Sequence, residues 1–545
     1  MTTSSDYFDQ ALITEVQAWI AEDPDPATAA QLQNWLDEHN EAELRTSFAG
    51  FLQFGTAGLR GPIRPGPSGM NRAVVARAAA GIAAYMKERD LSSVVIGRDA
   101  RYGSEDYTFE TAEIMSGAGM KVFILPRPLP TPVLAFATVE LGCDVGIMVT
   151  ASHNPPQDNG YKVYLGGTVD GIDYLGSQIV SPTDTSIAQK IDEITSLKAQ
   201  PRGKEWTVLG EEVIEKYIEQ TARLASNPGT LKIVYSAMHG VGTETLQRVF
   251  HKCGFPSPIL VDSQALPDPD FPTVAFPNPE EPGAIDLSLE TAKTFDADLV
   301  IANDPDADRC AAAIKDPETG WRMLRGDELG AIFAESIARK KGSGIFANSI
   351  VSSSVVRKIA EHHKIEFNET LTGFKWISKI KGLTFGYEEA LGYAVDPATV
   401  NDKDGISAAI ELAQIATDLA AEGKTLLDLL DEIWSRHGFH ATEQISIRLT
   451  DLSKVAVILG ALRKNPPQEI AGRTVTSIDD LAVPTDGLPP TDGLRIWLAG
   501  GVRIIIRPSG TEPKMKCYIE VIEGDSKTAQ VVLDQLRPPL KELLS

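Results

Sequence analysis

The sequence predicts an α/β chain: three related α/β domains with mixed sheets, followed by a C-terminal α+β domain. Two patterns predict it. A buried strand, a polar turn, a helix and a second strand recur three times in the same order and at similar spacing, though with slight identity. After about residue 440 the pattern changes to alternating strands joined by tight turns, with one helix between them and one at the end. The 545 residues allow three to five domains at roughly 100–200 residues each. A hydrophobic content of 43% supplies large cores.

The elements follow in order. Apolar residues recur at helical spacing through Leu12, Ile13, Val16, Trp19 and Ile20. Asp23-Pro24-Asp25-Pro26 breaks that helix, and a second resumes over 27–36. The first α/β unit opens with a strand over 94–99, continues in a helix to about Ala118, and reaches a strand over 121–125. The second opens with a strand at 231–236, turns through Gly240-Val241-Gly242, and runs in a helix to about Cys253 and a strand near 259–261. The third opens at 344–349, with a helix over about 354–363 and a strand near Glu366. In the last part, 443–449 alternates as a strand and a helix runs through Leu462. A doubled turn covers 484–494; strands at 502–507 and 515–522 and a final helix toward Leu543 complete the chain. The expected domains are 1–45 (a helical extension), 46–205, 206–322, 323–440 and 441–545.

Composition excludes several classes. The formal net charge is −24. That argues against a nucleic-acid partner or an anionic membrane surface, which bind through clustered Lys and Arg. It leaves room for a small anionic substrate whose site is built from local cations. No apolar run reaches the ~20 residues of a membrane helix, and the first residues lack the basic-then-apolar pattern of a signal peptide. Cys143, Cys253, Cys310 and Cys517 form no CxxC pair. Reduced thiols in a cytoplasmic protein are the expectation. The sequence sets no oligomeric state.

Four segments carry chemistry. Residues 145–149 read as a buried strand that runs into Thr150-Ala151-Ser152-His153-Asn154-Pro155 and on to Asn159-Gly160-Tyr161-Lys162. Loops at strand ends are where α/β folds place reactive groups. A plain turn is the bland alternative. A Ser-His hydrolase is the sharper one, but it lacks G-x-S-x-G. The second segment is Asn303-Asp304-Pro305-Asp306-Ala307-Asp308-Arg309. Three carboxylates at alternate positions can converge on a hard divalent cation. An EF-hand fails by count: with Asp304 first, the sixth position is Arg309 and the twelfth Lys315, where Gly and Glu are required. An aspartate-dependent phosphatase stays open.

The third segment is Gly386-Tyr387-Glu388-Glu389-Ala390-Leu391-Gly392, whose two acids can accept sugar hydroxyls or simply face solvent. The fourth is Arg507-Pro508-Ser509-Gly510-Thr511-Glu512-Pro513-Lys514. This is a tight loop between two strands whose hydroxyls, N–H groups and Arg fork suit a phosphate dianion. Two shorter strings stand beside these: Phe54-Gly55-Thr56-Ala57-Gly58-Leu59-Arg60-Gly61 and Thr372-Gly373-Phe374-Lys375-Trp376. His239, in a His-Gly-Val-Gly turn, reads as structural.

In this order the strings resemble the α-D-phosphohexomutases from about Phe54 to Tyr518. They resemble most the branch with phosphoglucomutase-2-like and phosphopentomutase members, because Ala390 stands where many relatives place Ser. The resemblance implies four domains around one cleft, each lending a loop. It implies a phosphoserine at Ser152, with Lys162 as acid/base and Arg60 and His153 beside it. It implies one magnesium ion held by Asp304, Asp306, Asp308 and the phosphoserine. Substrate contacts would come from Arg309, Lys375, Glu388, Glu389, Arg507, Ser509, Gly510, Thr511 and Lys516. The implied activity is a mutase exchanging sugar 1-phosphate and sugar 6-phosphate through a sugar 1,6-bisphosphate. Glucose is expected first, mannose second and a pentose third. A metal-dependent sugar phosphatase is the alternative of another class.

Overall fold

The computed structural model describes residues 9–448, 453–484, 487–508 and 514–544. They form two compact units. One runs to Met323 and includes Gly392–Asp418; the other combines Leu324–Leu391 with the chain from Leu419.

The first unit opens with three helices, Gln10–Glu22, Pro26–Asp37 and Glu41–Ser47. Their apolar faces close a small core around Leu12, Val16, Leu32, Leu36 and Leu44. The third helix was not expected from sequence. It is seven residues long, too short for a helical repeat to show, and Asn40 caps its first turn.

Two mixed sheets follow in this unit. The first runs Leu59–Pro62, Asp158–Leu165, Val145–Val149, Ser93–Arg98, Lys121–Ile124, Thr207–Val208. Its middle strands are parallel, and Asp158–Leu165 pairs antiparallel on both sides. Val145–Val149 is wholly buried, as a central strand covered on both faces should be. The second sheet runs Ile259–Leu260, Ile233–Ser236, Leu299–Ala302, Ala311–Asp316, Gly320–Met323. Its first three strands are parallel and its last two antiparallel. In both sheets a central strand delivers its C-terminal end to a loop, and these are the loops singled out from sequence.

The second unit contains parallel strands Glu366–Thr370, Ile345–Ser349 and Leu383–Glu388. It also holds an antiparallel sheet of Phe439–Arg448, Lys514–Glu523, Val502–Pro508, Leu494–Leu498, Arg473–Asp480 and Glu469–Ile470. One face of this sheet buries Ile504, Ile506, Cys517 and Ile519 with Leu533 and Leu536 of the helix Ser526–Leu543. The sequence reading had only three of these six strands.

Candidate active site

Ser152 lies three residues beyond the buried strand Val145–Val149 and is itself buried. Its φ of 53° places it in the left-handed region, a strained conformation for a residue with a Cβ. Several bonds hold it there. Its N–H donates to Thr150 Oγ1 at 2.9 Å. The Arg101 guanidinium donates to the carbonyls of Ser152 (2.7 Å), Asn154 (2.6 Å), Pro155 (2.8 Å) and Asp158 (3.2 Å). Arg101 also pairs with Asp99 at 3.2 Å. The Ser152 hydroxyl donates to Asp304 Oδ2 at 2.8 Å and lies 3.2 Å from His153 Nδ1.

The aspartate loop follows the strand Leu299–Ala302, and all three of its carboxylates are buried. Asp304 accepts from the Arg309 N–H at 3.0 Å as well as from Ser152. Asp306 Oδ2 accepts from Lys162 Nζ and Thr131 Oγ1, each at 2.7 Å. Asp308 Oδ2 accepts from Lys162 Nζ at 2.7 Å and Lys403 Nζ at 2.6 Å. The remaining oxygens, Asp306 Oδ1 and Asp308 Oδ1, are buried with no hydrogen-bond partner. One oxygen from each carboxylate lies within 4.8 Å of the others. Burial and the other two carboxylates push Asp304 up to about 8. Burial would also raise Asp306 and Asp308, but the Lys162 and Lys403 ammoniums outweigh it and hold both down. Orphaned hard oxygens and a carboxylate destabilised by its neighbours are the donor set a hard divalent cation satisfies. The residues present therefore fit magnesium.

Arg60 reaches the same loop, donating to Asn154 Oδ1 at 3.3 Å. Its strand packs closely because Gly58, at φ 72°, faces the Tyr161 carbonyl where a Cβ has no room. His153 is held well below the usual imidazole range by burial and then by Arg309 and Arg60. Its ring is therefore neutral beside the serine. Lys162 bonds Asp306 and Asp308, one step back from Ser152. His239 bonds Thr273 at 2.8 Å and stays outside this cluster's bonds.

The structure thus brings Ser152, His153, Arg60, Lys162, Arg309 and the three aspartates together in the first unit. It adds Arg101, Thr131 and Lys403, which sequence reading missed. Arg101 had a visible signal in the polar end of the strand Ser93–Arg98. Lys403 had one in the charged run Asn401-Asp402-Lys403-Asp404 before a helix.

The remaining predicted residues lie in the second unit. Lys375 is on the short helix Phe374–Ile377. Glu388 ends the strand Leu383–Glu388, whose last four residues are buried. Glu389 Oε2 accepts hydroxyls from Ser352 at 2.8 Å and Ser349 at 3.1 Å. Two serines from a neighbouring turn thus bond the acid beside Ala390. Arg507 and Lys516 are directly opposite on adjacent strands. Ser509, Gly510 and Thr511 lie outside the described residues.

Sequence families match the chain in the same order. The phosphoglucomutase/phosphomannomutase alpha/beta/alpha domains I, II and III match residues 52–198, 215–320 and 325–437, and the C-terminal domain matches 445–536. The chain belongs to the phosphoglucomutase/phosphomannomutase family. A Haemophilus influenzae relative named "Probable phosphomannomutase" is 48% identical, covering 87% of this chain and 98% of its own. A mouse phosphopentomutase is 32% identical over 98% and 94%. A Staphylococcus haemolyticus phosphoglucomutase is 33% identical over 86% and 90%. In fold, the chain resembles the open form of Paramecium parafusin, a phosphoglucomutase, with a TM-score of 0.71 at 19% identity over 91% and 96%. As a phosphosugar mutase this chain is an isomerase that works by phosphoryl transfer, and the four family domains are those of its α/β and α+β architecture.

Proposed function

We propose that this mutase interconverts the 1-phosphate and 6-phosphate of a hexose, glucose or mannose, and carries the phosphoryl group on Ser152. The observation that supports this most is the Ser152 hydroxyl, bonded to Asp304 within a buried triplet of carboxylates. Asp304, Asp306 and Asp308 would hold one magnesium ion, with a phosphoserine oxygen completing the set. Bound there, the ion neutralises charge on the phosphoryl group.

The chain's own residues do the rest. Phosphoserine gives its phosphoryl group to the free hydroxyl of a sugar monophosphate. The bond to Ser152 Oγ breaks, a bond to the sugar oxygen forms, and the hydroxyl proton is returned to Ser152. The product is a sugar 1,6-bisphosphate, which turns over and gives its other phosphate back. His153 would hold a proton at Ser152 Oγ, and Arg60 would stabilise charge beside it. Lys162 keeps Asp306 and Asp308 in place, and its acid/base role would require release from them. Arg309 and Lys375 would contact phosphate or sugar. Glu388, oriented with Glu389, would read ring hydroxyls. Arg507 and Lys516, with Ser509, Gly510 and Thr511, would hold the phosphate that is not reacting. A cytoplasmic setting fits the four free thiols. Among the described residues no helix is long and apolar enough to cross a membrane.

A pentose phosphate is the second reading. Ala390 favours it, as do phosphopentomutase and phosphoribomutase relatives at 32–33% identity. One panel tests both: isomerisation of glucose, mannose and ribose 1-phosphates with magnesium, with and without glucose 1,6-bisphosphate. Conversion without net phosphate release, lost in Ser152→Ala, is expected. Steady release of inorganic phosphate would overturn the mutase reading in favour of a phosphatase.

A further inference from the structure

The sugar loop holds two acids in a row, Glu388 and Glu389, and its neighbours treat them differently. Tyr387 lies on the strand Leu383–Glu388, and Glu389 directly follows that strand. Both reach the turn after the strand Ile345–Ser349. The Tyr387 hydroxyl donates to the Ser353 carbonyl at 3.1 Å, and Glu389 Oε2 accepts from the Ser352 hydroxyl at 2.8 Å. Side chains alternate along a strand, so Glu388 leaves the face that Tyr387 uses.

Glu389 is tied down from both sides. The Ser352 hydroxyl donates to its carboxylate and also accepts its backbone N–H at 3.2 Å. One hydroxyl therefore closes a ring with the side chain and the backbone of the same residue. The Ser349 hydroxyl donates to the same Oε2 at 3.1 Å. Both serines are fully buried. On the other side the Glu389 carbonyl packs against Gly326, at the start of the helix Gly326–Lys341, where a Cβ has no room.

The turn that carries Ser352 is fixed in its own right. The Arg503 guanidinium donates to the carbonyls of Ile350 and Ser352. Glu520 accepts from the Ser353 hydroxyl at 2.6 Å and the Ser354 N–H at 2.7 Å. Asp327 Oδ1 accepts from the Ser353 N–H at 2.8 Å and from the Tyr387 hydroxyl at 3.0 Å. Ser352 thus presents its hydroxyl to Glu389 from a braced support.

We infer that Ser352 is a positioning residue that divides the work of the two acids: it binds Glu389 into the domain as an anchor, and so sets Glu388 to read the ring hydroxyls of the sugar phosphate. A carboxylate engaged by two buried hydroxyls has a fixed direction and fewer lone pairs to offer a ligand. The bond to the Glu389 N–H holds the peptide that joins the two acids, and with it the backbone of Glu388. The inference rests on the hydroxyl-reading role proposed above for Glu388.

The test measures kcat and KM in the full chain, with the best substrate among glucose, mannose and ribose 1-phosphates. The variants are Glu388→Gln, Ser352→Ala, Glu389→Gln and the double variant Ser352→Ala, Glu389→Gln. Ser352→Ala is expected to raise KM about fivefold, the worth of one net hydrogen bond, with kcat within about twofold, as for binding made equally in ground and transition states. Glu389→Gln should raise KM by a similar factor. The double variant should lose no more than the larger single loss, because both changes break one tie. Should Ser352→Ala not fold, Ser349→Ala, which removes only the 3.1 Å bond, completes the same cycle. Losses that multiply in the double variant would show Glu389 contacting sugar independently and overturn the inference. A Ser352→Ala loss that falls on kcat alone, or a KM within about twofold of wild type, would overturn it too. A Glu388→Gln KM within about twofold of wild type overturns instead the hydroxyl-reading role beneath it.

Discussion

Replacing Arg101 with Met removes a cation that the structure uses several times at once. Arg101 and Asp99 are each 1% exposed in their side chains, and their ion pair is buried. Breaking such a pair by deleting one partner costs about 3–5 kcal/mol. The low end applies here, because Asp99 keeps the Ser104 hydroxyl at 2.6 Å and the N–H of residue 101 at 3.0 Å. Burial already pushes Asp99 up against the pull of Arg101, so the orphaned carboxyl will take up a proton and recover part of the loss. The guanidinium's contact with the Phe271 ring, 4.8 Å from its centroid, also disappears. We therefore expect a loss of about 3 kcal/mol, or a fall of about 6–12 °C in the melting of the surrounding domain at roughly 2–4 °C per kcal/mol.

The effect on activity should be larger than this fall suggests. Arg101 clamps the carbonyls of Ser152 and Asn154, and the left-handed backbone of Ser152 relaxes without it. A misplaced nucleophile costs about 100-fold in rate. Scanning calorimetry and the coupled mutase assay, run on Arg101→Met and on the double variant Asp99→Asn, Arg101→Met, test this. The double variant should recover stability relative to the single one, having no lone buried carboxylate, but should not recover activity. Melting within about 2 °C of wild type together with activity within threefold would refute the clamp.

Two further outcomes are expected. Asp308→Asn leaves the Lys162 and Lys403 ammoniums without their shared carboxylate. It should lower the melting temperature, and magnesium added after chelation should restore activity to wild type but not to this variant. Asp404 is buried and pushed up to about 6, first by burial, against donors that include the Tyr217 hydroxyl at 3.0 Å. A carboxyl whose folded value lies above its unfolded one favours the fold at low pH, and that advantage is lost as pH rises through about 4 to 6. Asp404→Asn should therefore gain in melting temperature relative to wild type between pH 5 and pH 7, and parallel pH profiles would contradict the assignment.

The sequence made the site's motifs legible because each sits where a buried strand stops. Ser152 follows Val145–Val149 and the aspartates follow Leu299–Ala302, and both strands are apolar throughout. The strand Arg473–Asp480 was not legible, because it carries polar residues on both faces and buries little. The cations around the aspartates were not legible for a different reason. The charged run around Lys403 marks a polar turn but does not name Asp308, 95 positions away, as its partner. A buried lysine is chosen by tertiary charge balance, which leaves no periodicity. Lys162 was found as a candidate acid/base from its motif, whereas its two bonds to aspartates required coordinates.

The net charge of −24 set a condition on any phosphate site: cations must be supplied locally. The two units meet that condition differently. In the first, Arg101 and Lys162 are buried and committed, one to loop carbonyls and the other to carboxylates. Their charge fixes the geometry of Ser152 and the triplet. In the second, Arg507 and Lys516 are only half-buried, at the strand ends beside the phosphate loop, where a ligand can use their charge. On the proposed roles, phosphoryl transfer and sugar binding would rest on separate sets of residues. Substitutions around Ser152 should depress kcat for every sugar alike, while substitutions at Arg507 and Lys516 should redistribute kcat/KM among sugars. Parallel losses across all sugars from both sets would mean that the two tasks are not divided in this way.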